Sequence, residues 1–412
     1  MSEKLKTLFV SAPAHSATGY GIQTNNIVSH LIKNNYDVKV RGSTVKGDEY
    51  TWINEKGIPI HHVPNLSAYT HVDDTMLSQL QRLGVNTVIT LFDQWLYSPD
   101  LVRAATNSGI TWVCYTPIDC ENIPFKVLQT IRESSLIVTM SQFGLKLVNQ
   151  VRGMPPSIHI PHSIDTNVFK PYPRVRNPHK FVVTQVKTNS GERPNWPGLF
   201  ESFKWFIEVT GLTPQEAELH LHTKPDPGVD AGTGMSTGYN LYLLAEFYGI
   251  REYLTFPRDW GHDLKISDEQ MARELYSQSD VMLSPTIEGF GVPIIESEAS
   301  GCATLVCDRV GGQVENVPEE SRIPVGWMIM TPNLARRPLI DPEKCKDMLV
   351  QLYEDEKYRK ELARKGREIA LQFDHQKVLP KWITVMKQIE ENKKHRNLLK
   401  WCGYEPAELT VQ

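Results

Sequence analysis

The sequence predicts an α/β protein built from two doubly wound domains in tandem, with a cleft between them. Three observations predict it. At 412 residues the chain is too long for one typical hydrophobic core. In each half, short apolar runs alternate with helical patterns, which is the signature of a parallel sheet covered on both faces. A polar, proline-rich stretch, IPHSIDTNVFKPYPRVRNPHK at 160–180, separates the two series and reads as a linker.

In chain order, TLFVSAP (7–13) reads as the first strand. Gly19-Tyr20-Gly21 follows as a turn, and NNIVSHLIKN (25–34) as a helix with Ile27, Val28, Leu31 and Ile32 on one face. DVKVRG (37–42), NTVITLF (86–92), TWVCYTP (111–117) and LIVTMS (136–141) are the next strands, with helix-like segments between most of them. After the linker, FVVTQV (181–186), AELHLHT (217–223), LTFP (254–257), VMLSP (281–285) and TLVCD (304–308) form the second series. Residues 343–400 read as helical and charged. Sheets of this kind bind ligands beyond the carboxyl ends of their strands.

Bulk properties exclude several classes. The net charge of −4 gives no strong pull toward nucleic acid or an anionic membrane. Six cysteines (114, 120, 302, 307, 345 and 402) lack paired metal-ligand spacing and read as reduced thiols of a cytoplasmic chain. No apolar run approaches the roughly 20 residues of a membrane span. Lys4 and Lys6 precede LFVSAPA, but that apolar part is too short for a signal peptide and reads as a buried strand. His61-His62 has no third ligand in view, and no D-x-D sequence occurs, so no metal is expected.

The most informative segment is SPTIEGFGVPIIESEASG (284–301). It follows LYSQSDVML, the end of a helix and a short strand. Glu288-Gly289-Phe290-Gly291-Val292-Pro293 then reads as a tight loop opening a helix. Glycines and a helix start leave N–H donors and partial positive charge that suit an anion. Glu288 would sit in the loop and Glu296 about two turns into the helix, on the same side. Two carboxylates flanking a phosphate site suit a hydroxyl-rich ligand beside a diphosphate, which describes a nucleotide sugar.

This stretch resembles the hallmark of the retaining GT-B glycosyltransferases of group 1 (family 4), E-G-F-G-x-P-x-x-E followed by a small-residue turn. IPHSIDTNVFKP (160–171) resembles the hinge of the same family, with Ser163 where glycine is usual. The resemblance implies the GT-B fold, two Rossmann-like domains facing a central cleft. An acceptor-binding domain would span 1–172, joined by a C-terminal helix at about 383–412, and a donor-binding domain 173–382. It places Glu288 beside the donor sugar and Glu296 on the donor ribose. The loop of Phe290, Gly291 and Val292 would hold sugar hydroxyls and phosphate.

Further residues follow from the same resemblance. Lys187 and Arg193, in QVKTNSGERPNWPG, stand where two basic side chains reach the donor diphosphate, although the usual Gly-Arg is Val186-Lys187 here. Gly19 and Gly21 stand near the donor phosphates and the acceptor. As a dinucleotide fingerprint this turn lacks its third glycine, and the second strand ends at Arg41-Gly42 without a ribose-binding acid. Asp119 and Asp93 end first-domain strands, where related enzymes orient the acceptor hydroxyl, and Asp119 is the preferred of the two. LHLHTKPDP (219–227) resembles the family's L-H-T-D-P, with Lys224 replacing aspartate and His222 near the cleft.

The expected function is transfer of a hexose, for example mannose or glucose, from a UDP- or GDP-linked sugar to a hydroxyl of a glycan, glycolipid or other acceptor. Configuration would be retained, without a metal or other cofactor. Membrane contact would be at most peripheral, through charge runs such as Lys393-Lys394-His395-Arg396 and Lys400-Trp401. The alternatives are a non-catalytic sugar-nucleotide-binding protein and an NAD(P)-dependent oxidoreductase.

Overall fold

Uninterrupted runs such as Leu8-Phe9-Val10 and Leu136-Ile137-Val138 can be strands only where both faces are covered, and each lies in a sheet buried on both sides. The computed structural model describes residues 5–43, 47–65, 74–177, 179–191, 193–227, 238–257 and 266–395. These fall into two compact units. Unit 1 holds the chain up to Ile118, Asn122–Ser163 and the chain from Gln376. Unit 2 holds Ile164–His375 together with the short segment Asp119–Glu121. The break thus falls at 163/164 rather than the expected 172, and the return to unit 1 begins before 383.

Unit 1 is built on eight strands: β1 (Lys6–Ser11), β2 (Asp37–Gly42), β3 (Tyr50–Ile53), β4 (Pro59–Val63), β5 (Thr87–Leu91), β6 (Thr111–Thr116), β7 (Leu136–Thr139) and β8 (Ser157–His159). Their order is β3-β4-β2-β1-β5-β6-β7-β8. All pairs are parallel except β3–β4. One face packs Leu8, Val10, Val88, Trp112 and Ile137 into a core. The strand order reverses between β1 and β5, so a crevice opens beyond their carboxyl ends. β3, β4 and β8 escape a sequence reading because they are short and carry polar residues such as His61 and His159.

The first helix, Gly19–Lys33, starts earlier than expected. Thr18 caps it, its Oγ1 accepting from the Gly21 N–H at 3.1 Å. Gly19-Tyr20-Gly21 is therefore the first helical turn and not a turn preceding the helix. Ile27, Val28 and Leu31 form its buried face.

Unit 2 carries β9 (Phe181–Val186), β10 (Ala217–His222), β11 (Leu254–Thr255), β12 (Val281–Ser284), β13 (Ala303–Cys307) and β14 (Arg322–Ile323). They form one parallel sheet in the order β11-β10-β9-β12-β13-β14. The reversal lies between β9 and β12. A separate antiparallel hairpin, β15 (Val325–Met330) with β16 (Arg336–Ile340), follows. Pro338 lies within β16, opposite Met328, where a two-stranded ribbon tolerates a proline. Phe181, Trp196, Leu199, Phe200, Phe203 and Phe206 anchor the core.

The break between the units falls inside the proline-rich stretch read as a linker, and the part beyond the break is held in place. Arg174 grips Asp280 at 2.7 Å, and the other Asp280 oxygen accepts from the Val182 N–H at 2.9 Å. Arg176 pairs with Glu218 at 3.1 Å. The stretch beyond Ser163 is thereby fastened to the sheet of unit 2. The final helix runs His375–His395. Arg396, Lys400, Trp401 and Cys402 lie outside the described residues. Among those described, no helix is long and apolar enough to cross a membrane, and all five cysteines are buried and free.

Candidate functional site

The crevice of unit 2 is furnished from the two strands flanking the reversal. β9 delivers Lys187 directly from its carboxyl end. The loop that follows is framed by Asn189, whose Oδ1 accepts from the Trp196 Nε1 and the Tyr239 N–H, both at 3.0 Å. It ends at Asn195, which adopts φ 51° and caps the helix Trp196–Thr210. Arg193 is held over the crevice, its Nε donating to the Ile287 carbonyl at 3.1 Å.

β12 delivers Glu288. Lys187 Nζ bonds its Oε1, Arg193 Nη2 donates to Oε2 at 2.8 Å, and Thr286 Oγ1 donates to Oε1 at 3.1 Å. Burial pushes the Glu288 carboxyl up, but the charges of Lys187 and Arg193 outweigh it and hold it at about 2. Burial and the Arg193 charge bring Lys187 down to about 8, against the pull of Glu288. Near neutral pH the site is an ionised carboxylate gripped by two cations.

The loop backbone is set by residues the sequence reading did not single out. Gln313 Oε1 accepts from the Glu288 N–H at 2.9 Å, and the Gly312 N–H donates to the Glu288 carbonyl at 2.8 Å. Asn316 donates to the Phe290 carbonyl at 2.6 Å. A Cβ at Gly312 would strike the Gly289 backbone, so the two loops can touch only through glycine. The signal available was the Gly311-Gly312 pair shortly after a strand.

Of the loop residues predicted to contact a donor, Phe290 and Val292 point their side chains into the protein. Phe290 packs edge-on against Phe373 at 5.3 Å. Any ligand contact from these two comes from backbone. Gly291, at φ 90°, precedes the helix Val292–Ala299, where Pro293 occupies the first turn. Glu296 lies on that helix, 7% exposed, with Tyr276 OH donating to its Oε2 at 2.8 Å. Burial and the Asp268 charge push its carboxyl up to about 8, partly opposed by the Tyr276 bond.

Asp119 belongs to the segment that clusters with unit 2. Its Oδ2 accepts from Arg337 Nη2 at 2.8 Å and lies 3.8 Å from Arg193 Nε. Arg337, on β16, was not foreseen. Next to it Glu121 pairs with Arg309 at 2.5 Å and Arg336 at 3.0 Å, and its N–H donates to the Arg336 carbonyl at 2.9 Å.

Most of the remaining predicted residues belong to unit 1. Gly21 lies where a Cβ would collide with the carbonyls of Ser16 and Pro13, whereas Gly19 faces open space. Tyr20 packs edge-on against Phe92 at 5.2 Å. Asp93 occupies the cap position of the short turn Gln94–Leu96, its carbonyl accepting from the Leu96 N–H at 3.1 Å and its side chain making no cap bond. Ser163 is anchored by Gln23, which bonds both its N–H and its carbonyl, at 3.1 and 2.9 Å. In unit 2, His222 is brought down to about 4 by burial and by His220, so it is neutral near pH 7. His61 pairs with Glu49 at 3.0 Å. Among the described residues no cluster of metal-ligating side chains occurs.

No family model matches the sequence, and no curated protein matches it. Solved structures do. A glycosyltransferase from Rickettsia africae is 14% identical with a TM-score of 0.64, covering 95% of this chain and 100% of its own. The Anabaena protein HepE, in complex with UDP and glucose, is 14% identical with a TM-score of 0.63, covering 93% and 99%. The pneumococcal O-GlcNAc transferase GtfA, in complex with UDP and GlcNAc, is 11% identical with a TM-score of 0.63, covering 94% and 99%. At such identities the likeness is one of fold: the chain has the GT-B fold, with two Rossmann-like units.

Proposed function

We propose that this protein is a retaining glycosyltransferase that moves a hexose from a nucleoside diphosphate sugar to an acceptor hydroxyl. The observation that carries the reading is the ionised Glu288 held between Lys187 and Arg193, at the point of unit 2 where strand order reverses. Enzymes that expel a diphosphate need fixed positive charge where the leaving group gathers negative charge. Lys187, Arg193 and the backbone of the Gly289–Val292 loop supply it, which needs no metal.

In this reading the bond from sugar to phosphate lengthens first, giving an oxocarbenium-like sugar. The acceptor hydroxyl attacks from the same face, and a phosphate oxygen takes its proton. Glu288 orients the sugar through its hydroxyls and does not attack it. Glu296 accepts the donor ribose. Of the two strand-end acids, the engagement of Asp119 by Arg337 favours Asp93 as the group that orients the acceptor. The motif around Glu288 supports family 4, and the buried free thiols support a cytoplasmic setting.

UDP occupies two of the fold relatives, HepE and GtfA, so UDP-sugars are the first donors to try. The test is a thermal-shift panel of UDP, GDP, ADP, NAD and NADP, followed by donor turnover with the nucleotide that binds. At one hundred times Kd a ligand adds about 2.7 kcal/mol to stability, a readily measured shift. A shift with one nucleoside diphosphate and release of that diphosphate from its sugar are expected. A shift with NAD or NADP alone would overturn the reading. Binding of a donor without turnover of any acceptor or water would favour a sugar-nucleotide-binding protein.

A further inference from the structure

Five charged groups of unit 2 stand in an alternating row: Lys187, Glu288, Arg193, Asp119 and Arg337. Arg193 is the middle member. It bonds Glu288 at 2.8 Å and stands 3.8 Å from Asp119. Asp119 in turn is taken by Arg337 at 2.8 Å. The Arg337 side chain is only 15% exposed, so its charge acts in a weakly screened setting.

The hairpin is built to hold Arg337 there. Arg337 pairs in register with Ile329 across β15 and β16. Ile329, Arg337, Pro338 and Leu339 form one wall of a small pocket whose other wall includes Arg193 and Ile287. The hairpin therefore flanks the Arg193 side of the proposed donor site with an apolar wall and one cation.

Three cations face two carboxylates in this row, which leaves a surplus of one positive charge for an incoming diphosphate. Without Arg337, the charges would balance to zero. Asp119 would be left with Arg193 as its nearest cation, and a carboxylate so placed is drawn into a direct ion pair. We propose that Arg337 is a positioning residue that keeps Asp119 off Arg193, so that the charge of Arg193 remains available to the donor diphosphate. This inference rests on the transferase reading and gives Asp119 a part in donor binding, as the competitor that must be restrained.

The test is a charge-rescue cycle read by calorimetric titration of UDP and GDP into wild type, Arg337→Gln, Asp119→Asn and the double variant. Melting curves establish that each is folded. Arg337→Gln is expected to weaken nucleotide binding about tenfold. Asp119→Asn alone leaves it unchanged or tighter. The double variant, with the competing carboxylate removed, returns to within about threefold of wild type. A general loss of structure at the hairpin would not be repaired by a second substitution. A double variant as weak as Arg337→Gln would overturn the inference, because Arg337 would then act on the ligand directly or only support the fold. Weakened binding in Asp119→Asn would also overturn it. Wild-type protein that binds neither nucleotide would sink the transferase reading itself, a result distinct from a failed rescue.

Discussion

The two units share a plan: in each, the strand order reverses beside the first strand, between β1 and β5 in unit 1 and between β9 and β12 in unit 2. The two crevices are furnished differently. In unit 2 the strand ends deliver Lys187 and Glu288, joined by Arg193. In unit 1 they lead to a capped helix start at Thr18–Gly21, the Tyr20–Phe92 ring pair and Asp93. Topology supplies the crevice, and the loop residues decide its chemistry. In the proposed reading the charged crevice is the one that takes the diphosphate.

The substitution expected to have the largest effect is Glu288→Gln. It leaves Lys187 and Arg193 without their carboxylate, so the crevice becomes more positive. Turnover is expected to fall on the order of 10²–10³-fold, as for loss of a group aimed at the reacting centre. Free UDP or GDP should bind as tightly as before, or tighter. Steady-state rates beside equilibrium titrations separate the two. A variant that keeps wild-type turnover would erase the contrast between the crevices.

A smaller effect is expected in unit 1, where Gly19 and Gly21 can be told apart. Gly21→Ala forces a Cβ into the Ser16 and Pro13 carbonyls, at a cost of roughly 1–3 kcal/mol. That is several degrees of melting temperature. Gly19→Ala meets nothing within 4 Å, and alanine is the better helix former, so stability should hold or rise. If Gly19 lies against a phosphate, Gly19→Ala will lose activity at full stability, and unit 1 will then have to be counted as a second anion-binding crevice.

How much of this was legible in the sequence follows from the range of each signal. Glu288, Gly291, Pro293 and Glu296 sit within one short segment, where glycine, proline and helical spacing are local cues. The alternating strands were readable for the same reason. Arg337 was not: its partner Asp119 is 218 residues away in the chain, and a strand containing Pro338 does not look like one. Gln313 and Asn316 hold the Glu288 loop through backbone groups, a role that no side-chain pattern announces. The stretch at 160–180 was legible as the place where one unit gives way to the next, at 163/164, but not as a fastened segment, because Arg174 and Arg176 find their carboxylates only once the sheet exists. The first helix begins at Gly19 because the Thr18 side chain caps it, a local cue that reading Gly19-Tyr20-Gly21 as a turn passed over.

The smallest effect expected is one of pH, and it sets the two glutamates of the unit 2 segment against each other. Glu288 is held at about 2, below its ordinary 4.5, by Lys187 and Arg193 acting against burial. Its stabilisation is present above pH 4.5 and is lost as pH falls toward 2. Glu296 is pushed up to about 8 by burial and Asp268. Between 4.5 and 8 the folded protein therefore holds a proton at Glu296 that the unfolded chain releases. That contribution is full below pH 4.5 and disappears as pH rises through 8. Glu298, buried on the same helix, is displaced in the same direction by burial. Melting curves from pH 5 to 8 should show wild type losing more stability than Glu296→Gln, by on the order of 1 kcal/mol. An identical decline in both proteins would mean that Glu296 is already ionised in the fold. In that case its carboxylate would meet a donor ribose as an acceptor from the start. With the proton present, nucleotide binding should instead release it, and affinity should rise with pH toward 8.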